Sequence, residues 1–231
     1  MPWFYYLGTT LMKLLIFLLV RCQVKGKENV PARGSLIVVA NHLSIVDPPL
    51  LSASIHRRIV FMAKEEAFHN PVFGPLARGW RAFPVRRGAF DRVALRRAEG
   101  VLAEGQVLGM FPEAMRSHTA QLQQGLTGTA LIALRSGATI LPVGIIGTEK
   151  VEGISVIFRH PTITVNIGEP FKPPSIDGRL TKVHLAVATD LIMGRIAELL
   201  PQSYRGYYKK MEKAAEKSIG VNPLASIPDD A

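Results

Sequence analysis

The sequence predicts an α/β fold, a single domain with a mainly parallel mixed sheet flanked by helices, preceded by an N-terminal hydrophobic membrane helix. Three observations carry this reading. Short apolar runs rich in β-branched residues recur without polar alternation, the pattern of strands buried on both faces. Helix-length stretches with start and stop signals fall between them, the order that builds a parallel sheet. The 231 residues, 48% hydrophobic and 20% charged, are enough for one large domain and exclude a disordered or collagen-like chain.

Taken in order, Trp3 to Val20 contains one charge, Lys13, and ends in an unbroken apolar run from Leu14 to Val20, followed by Arg21, Lys25 and Lys27. No basic region precedes it and no small-residue cleavage site follows it, so it is not a signal peptide. A helix of this length reaches roughly 27 Å, which fits both spanning the bilayer and lying half-embedded in it. Trp3, Phe4, Tyr5 and Tyr6 suit the interface in either case, and a buried core helix is the competing reading. If the helix spans, its basic flank places the rest of the chain on the cytoplasmic face.

After the Val30 to Gly34 link, Ser35 to Ala40 reads as a strand buried on both faces, and similar runs recur at Ile59 to Ala63, Gln106 to Phe111 and Thr139 to Ile146. Thr162 to Ile167 alternates like a strand with one wetter face. A helix is expected over Pro48 to Ser54, with Asp47 as N-cap and proline at the first helical position. Others are expected over Asp91 to Glu104, capped by Asp91 and stopped by Gly105, over Thr127 to Ser136, stopped by Gly137, and over Leu180 to Leu200, ended by Pro201. The organisation is therefore residues 1–29 as a membrane-anchoring segment with a basic flank, 30–208 as the catalytic domain and 209–231 as a polar tail.

Lys and Arg number 28 against 18 Asp and Glu, a formal charge of +10, which points to anionic membrane or phosphorylated substrates, with nucleic acid a further class. No recognition helix or aromatic stacking platform supports nucleic acid; Lys209 and Lys210 beside Tyr207 and Tyr208 are weak candidates. The single cysteine, Cys22, excludes an internal disulfide framework and a Cys-based metal site, and no His spacing suits a metal. Neither a Gly-rich phosphate loop nor a nucleophile elbow is present.

The chemistry concentrates where strands end. His42 follows the first buried strand, at the edge where α/β sheets bind ligands, and the turn to Asp47 can fold that carboxylate back onto the imidazole. An aspartate on one ring nitrogen leaves the other to take a proton from a substrate hydroxyl. The alternative is a satisfied turn histidine beside a capping aspartate. Arg86 and Arg87, between Pro84 and Gly88, and Arg116, beside Glu113, lie on two further strand-end loops, and their planar forks suit phosphate oxygens. For Arg92, Arg96 and Arg97, on a helix, a solvated basic face is the favoured reading.

Together these residues resemble the glycerolipid acyltransferase superfamily, specifically the bacterial 1-acylglycerol-3-phosphate acyltransferases. Asn41, His42, Ser44 and Asp47 match the first signature, Pro84-Val85-Arg86-Arg87-Gly88 the second, Phe111-Pro112-Glu113 with Arg116-Ser117 the third and Leu141-Pro142-Val143 the fourth. The chain departs from the family at Ala114-Met115, where Gly-Thr is usual, and at Gln123-Gln124, where a lysine often precedes the glycine matched by Gly125. The resemblance implies acyl transfer from a coenzyme A or acyl carrier protein thioester to the hydroxyl of lysophosphatidic acid, giving phosphatidic acid. It implies His42 as base and Asp47 as its orienting partner, Arg86, Arg87 and Arg116 on the acceptor phosphate, and Glu113 ordering those arginines. Backbone N–H groups at the helix start near Pro48 are the expected oxyanion donors. No cofactor is implied. Alternatives are a different acceptor, such as glycerol-3-phosphate or another lysolipid, or a non-catalytic relative that binds anionic membrane.

Overall fold

Seven strands form one sheet: β1 (Arg21–Lys25), β2 (Leu36–Ala40), β3 (Ile59–Lys64), β4 (Phe83–Val85), β5 (Val107–Met110), β6 (Thr139–Ile146) and β7 (Thr162–Ile167). Across the sheet they run β1, β7, β6, β2, β5, β3, β4, every pair parallel except the antiparallel β6 and β7. The structure is a computed structural model and describes residues 7, 8, 10, 11, 14, 18–71, 73–79, 82–86, 91–151, 160–176 and 178–209.

The central strand explains its own sequence. Ile37 and Val39 of β2 pack on one face with Ala94, Ala98, Ala133 and Ile192, which come from α3 (Arg92–Ala103), α4 (Gly128–Ser136) and α5 (Lys182–Glu198). Leu36, Val38 and Ala40 pack on the other face with Leu50 and Leu51 of α1 (Asp47–Ser54). Both faces are covered, so no polar alternation survives. A short α2 (Phe73–Gly79) precedes β4. Away from the carboxyl edge, Arg57 donates to the carbonyls of Pro31, Gly34 and Gly105, tying three loops together.

The strands expected at Ser35 to Ala40, Ile59 to Ala63, Gln106 to Phe111, Thr139 to Ile146 and Thr162 to Ile167 all appear, within two residues at each end. Asp91 caps α3, accepting from the Val93 and Ala94 N–H groups, and Gly137 ends α4 at φ 60°. Three differences have physical reasons. The sheet reaches into the segment read as a basic flank, because Arg21–Lys25 alternates exposed and half-buried positions beside β7 at the sheet edge. Phe83–Val85 is an edge strand where a loop was expected, and at the edge its proline displaces no ladder partner on one side. Val46, not Asp47, is the N-cap of α1, because Leu50 N–H donates to Val46 O and the Asp47 carboxylate turns back to the Leu43 and Ser44 N–H groups.

Of the expected membrane helix, residues 1–6, 9, 12, 13 and 15–17 lie outside the described residues; Leu7, Gly8, Thr10, Leu11, Leu14, Leu18 and Leu19 are helical. Among the described residues no helix is long and apolar enough to cross a membrane. Residues 210–231 of the polar tail also lie outside them.

Where β2 leaves the sheet, the Asn41 side chain substitutes for one backbone unit. Its Nδ2 donates to Ile145 O at 2.8 Å and its Oδ1 accepts from Ile145 N–H at 2.7 Å, both buried. Asn41→Ala strips both partners from a buried peptide unit and is expected to lower unfolding free energy by about 2–4 kcal/mol in denaturant titrations. A loss under 1 kcal/mol would mean that the two groups find other partners.

Candidate active site

The carboxyl ends of β2 and β5, neighbours in the sheet, bring three titratable side chains together. The chain turns sharply after Asn41, and Asp47, the first residue of α1, points back into that turn. A single oxygen, Oδ2, takes His42 Nδ1 at 2.8 Å and the Leu43 and Ser44 N–H groups at 2.7 Å each. Asp47 is wholly buried and its Oδ1 has no hydrogen-bond partner, whereas the His42 side chain keeps 12% of its surface. A carboxylate can only accept, so His42 donates from Nδ1 and leaves Nε2 with a lone pair.

The imidazole plane is fixed from below. Its ring stacks on Phe111 at 4.1 Å and 21°, and Phe111 stacks in turn on Phe61 at 6.2 Å. Gly109 makes room for this column: a Cβ there would come within 2.4 Å of the Phe61 ring. Phe111 was visible in the sequence only as part of a signature; an aromatic residue at the end of the strand beside a catalytic turn was the available signal.

Among the described residues Glu113 binds the main chain, and neither Arg86 nor Arg116, two of the arginines it was expected to order, pairs with it. Its Oε1 accepts from His42 N–H at 3.0 Å and its Oε2 from Gln123 N–H at 2.9 Å, while Ser117 N–H donates to His42 O at 2.7 Å. The loop after β5 thus holds both the N–H and the carbonyl of His42. Glu113 is 3% exposed and makes no ion pair among the described residues; burial pushes its carboxyl up to about 7, against the pull of the Gln123 and His42 N–H groups. Ala114, next along, accepts a left-handed φ of 58°, which explains why glycine suits that position.

The arginines divide. Arg116 is exposed on this same loop, one residue before Ser117, and makes no ion pair among the described residues. Arg86 follows β4, three strand spacings from β2, about 14 Å. It is 74% exposed and its Nε donates to Glu65 Oε2 at 3.1 Å. Arg87 lies outside the described residues. The expected oxyanion donors at the start of α1 are absent: Asp47 N–H donates to Ser44 O, Leu50 N–H to Val46 O, and Pro48 and Pro49 have no N–H. No group of three or more His, Cys, Asp or Glu side chains suited to a metal ion occurs among the described residues.

Residues 21–146 match a protein-family model described as Acyltransferase. The chain is 28% identical over 190 residues to the 1-acyl-sn-glycerol-3-phosphate acyltransferase of Bacillus subtilis, an alignment spanning 81% of this chain and 92% of that one. It is 27% identical over 157 residues to the enzyme of the same name from Borreliella burgdorferi, 63% of each chain. The crystal structure of the 1-acyl-sn-glycerophosphate (LPA) acyltransferase PlsC from Thermotoga maritima superposes with a TM-score of 0.66 at 26% identity, covering 84% of this chain and 78% of that one.

A raised carboxyl has a measurable consequence for stability. Glu113 binds its proton more tightly folded than unfolded, so its contribution is fully present below pH 4.5 and is lost as pH rises through 7. The amplitude is on the order of 3 kcal/mol. Between pH 5 and 8 the wild type should lose stability relative to Glu113→Gln, measured as denaturant midpoints at each pH. Parallel curves would place the carboxyl at its ordinary value.

Proposed function

The chain belongs to the acyltransferase family, and we propose that it transfers a fatty acyl group from a thioester of coenzyme A or acyl carrier protein to the hydroxyl of 1-acylglycerol-3-phosphate, giving phosphatidic acid for phospholipid synthesis. The observation that carries this reading is the His42–Asp47 pair at the carboxyl edge of the sheet, with Nε2 free, in a chain whose relatives carry that enzyme name. His42 Nε2 takes the acceptor's hydroxyl proton as that oxygen bonds to the thioester carbonyl carbon. Asp47 fixes the tautomer and stabilises the imidazolium. The tetrahedral intermediate then collapses, the C–S bond breaks, and the departing sulfur takes the proton back from Nε2.

Arg116 is the arginine best placed for the acceptor phosphate, since its loop also binds the N–H and the carbonyl of His42. Arg86 would have to leave Glu65, a solvent-exposed pair that costs little to break. Arg87 completes the clamp in this reading. Gln124, exposed beside Gly125, stands where relatives often have a lysine, which keeps glycerol-3-phosphate and other lysolipids open as acceptors.

The same reading seats the enzyme on anionic membrane at the cytoplasmic face. Leu7, Leu11, Leu14 and Leu18 support it: they recur at helical spacing and each is more than half exposed, an apolar stripe with no protein covering it among the described residues. Removing residues 1–18 is expected to release the protein from anionic vesicles at high salt; continued sedimentation of the truncated chain would move the anchoring surface elsewhere.

His42→Ala is expected to leave under a tenth of wild-type turnover at saturating substrate, and Asp47→Asn to cost roughly 10²–10⁴-fold, with far-UV circular dichroism unchanged for His42→Ala. The readout is labelled phosphatidic acid from acyl-CoA and lysophosphatidic acid. Turnover by His42→Ala above a tenth refutes the base.

Arg116→Lys should raise KM for lysophosphatidic acid and lower kcat, because an ammonium cannot offer two parallel donors, whereas Arg96→Lys should change neither. Equal KM values for both variants and the wild type would refute the clamp and favour another acceptor.

A further inference from the structure

The turn that follows α5 takes no part in the proton transfer or the clamp, yet it is bonded along the loop behind the site. Leu122 N–H donates to Tyr204 O at 2.8 Å and Tyr207 N–H donates to Leu122 O at 3.0 Å, a ladder-like pair. Gly206, at φ 43°, permits that approach, since a Cβ there would lie 2.3 Å from Leu122 O. The Tyr204 hydroxyl donates to Glu149 Oε1 at 2.6 Å, anchoring the turn to the end of β6. Two residues beyond Gln123, Gly125 N–H donates to the hydroxyl oxygen of Tyr208 at 3.0 Å, on a ring that is 4% exposed. Gly125 is also pressed against α5, where a Cβ would lie 2.7 Å from the Met193 side chain.

Between these anchors stands the Gln123 N–H that Glu113 accepts, and the other oxygen of Glu113 holds His42 N–H. A run of bonds therefore joins Tyr208 to Gly125, then along the chain to Gln123, then through Glu113 to His42. We propose that Tyr208 is a positioning residue for acyl transfer: its hydroxyl adds an anchor at Gly125, between Leu122 and Leu126, whose N–H donates to Pro112 O at 2.8 Å, and through the Gln123–Glu113 bridge it sets the main chain of His42 against the acceptor. A buried carboxylate held by two main-chain amides depends on both staying aimed at it. Freeing Gly125 loosens the Gln123 amide and leaves Glu113 bonded at one end. Only the kinetic part of this proposal rests on the acyl-transfer reading.

The test is a double-mutant cycle on the full chain with Tyr208→Phe, Glu113→Gln and both together, and Tyr207→Phe as the control whose half-exposed hydroxyl has no described role. Tyr208→Phe keeps the buried ring. It is expected to lower kcat about fivefold, the worth of one hydrogen bond, with KM for the thioester within twofold of wild type. Tyr207→Phe should match wild type. In the Glu113→Gln background, Tyr208→Phe should cost nothing further, because the bridge it acts through is already weakened. The same cycle is read by hydrogen exchange, which needs no substrate: Tyr208→Phe should speed exchange of the amides at 121–126 and at 42–44, the latter only while Glu113 is present. An unchanged kcat, an equal loss in both backgrounds, or faster exchange confined to 121–126 overturns the proposal. A wild type that acylates no lysophospholipid overturns the acyl-transfer reading alone, and the exchange cycle then decides the positioning role.

Discussion

The catalytic edge depends on two buried carboxyl groups, Asp47 and Glu113, which main-chain N–H groups hold and which no Lys or Arg among the described residues pairs. Each is costly to bury, and each repays that cost by fixing something a cation could not. Asp47 gathers three donors on one oxygen, so the turn after β2 and the tautomer of His42 are set by the same atom. Glu113 spans the gap between that turn and the loop after β5, so the two cannot move independently. The division of labour is electrostatic. Asp47 lies on the ring nitrogen and sets the tautomer, whereas Glu113 lies on the peptide nitrogen and sets the main chain.

Much of this was legible in the sequence. Non-alternating runs such as Leu36 to Ala40 reported strands covered on both faces, and Asp91 with Gly105 and Gly137 reported helix ends, because those signals are local and steric. His42 with Asp47 was legible as a pair because five residues of turn suffice to bring them together. The partners of Glu113 were not legible. Its neighbours in sequence, Arg116 among them, suggested ion pairing, but the carboxylate is claimed by His42, 71 residues away, and by Gln123. The short edge strand Phe83–Val85 was hidden by its proline, and Arg21–Lys25 by its charges. At a sheet edge both are tolerated, so composition there says little about pairing.

The cations follow a different logic from the carboxylates. Arg86 sits just after β4 at the far edge of the sheet, and Arg116 is exposed on the loop after β5, whose Glu113 and Ser117 bind the His42 main chain. The Arg86 side chain is held there by a solvent-exposed ion pair with Glu65, a contact worth little, in contrast to the bonds that hold the two buried carboxyl groups.

Asn41 has a consequence for how this site comes into being. Its amide recognises one peptide unit, that of Ile145, and the two are 104 residues apart in sequence. A parallel pair could in principle slide, and a shift of one residue would turn every side chain of β2 to the opposite face. The amide admits a single register and so decides which residue stands next in line at the edge. During synthesis, then, the first signature emerges long before the strand that indexes it. Until Ile145 has left the ribosome the β2–β6 register lacks that index, and a fragment that stops short of β6 leaves the Asn41 amide without the partners it has in the whole chain.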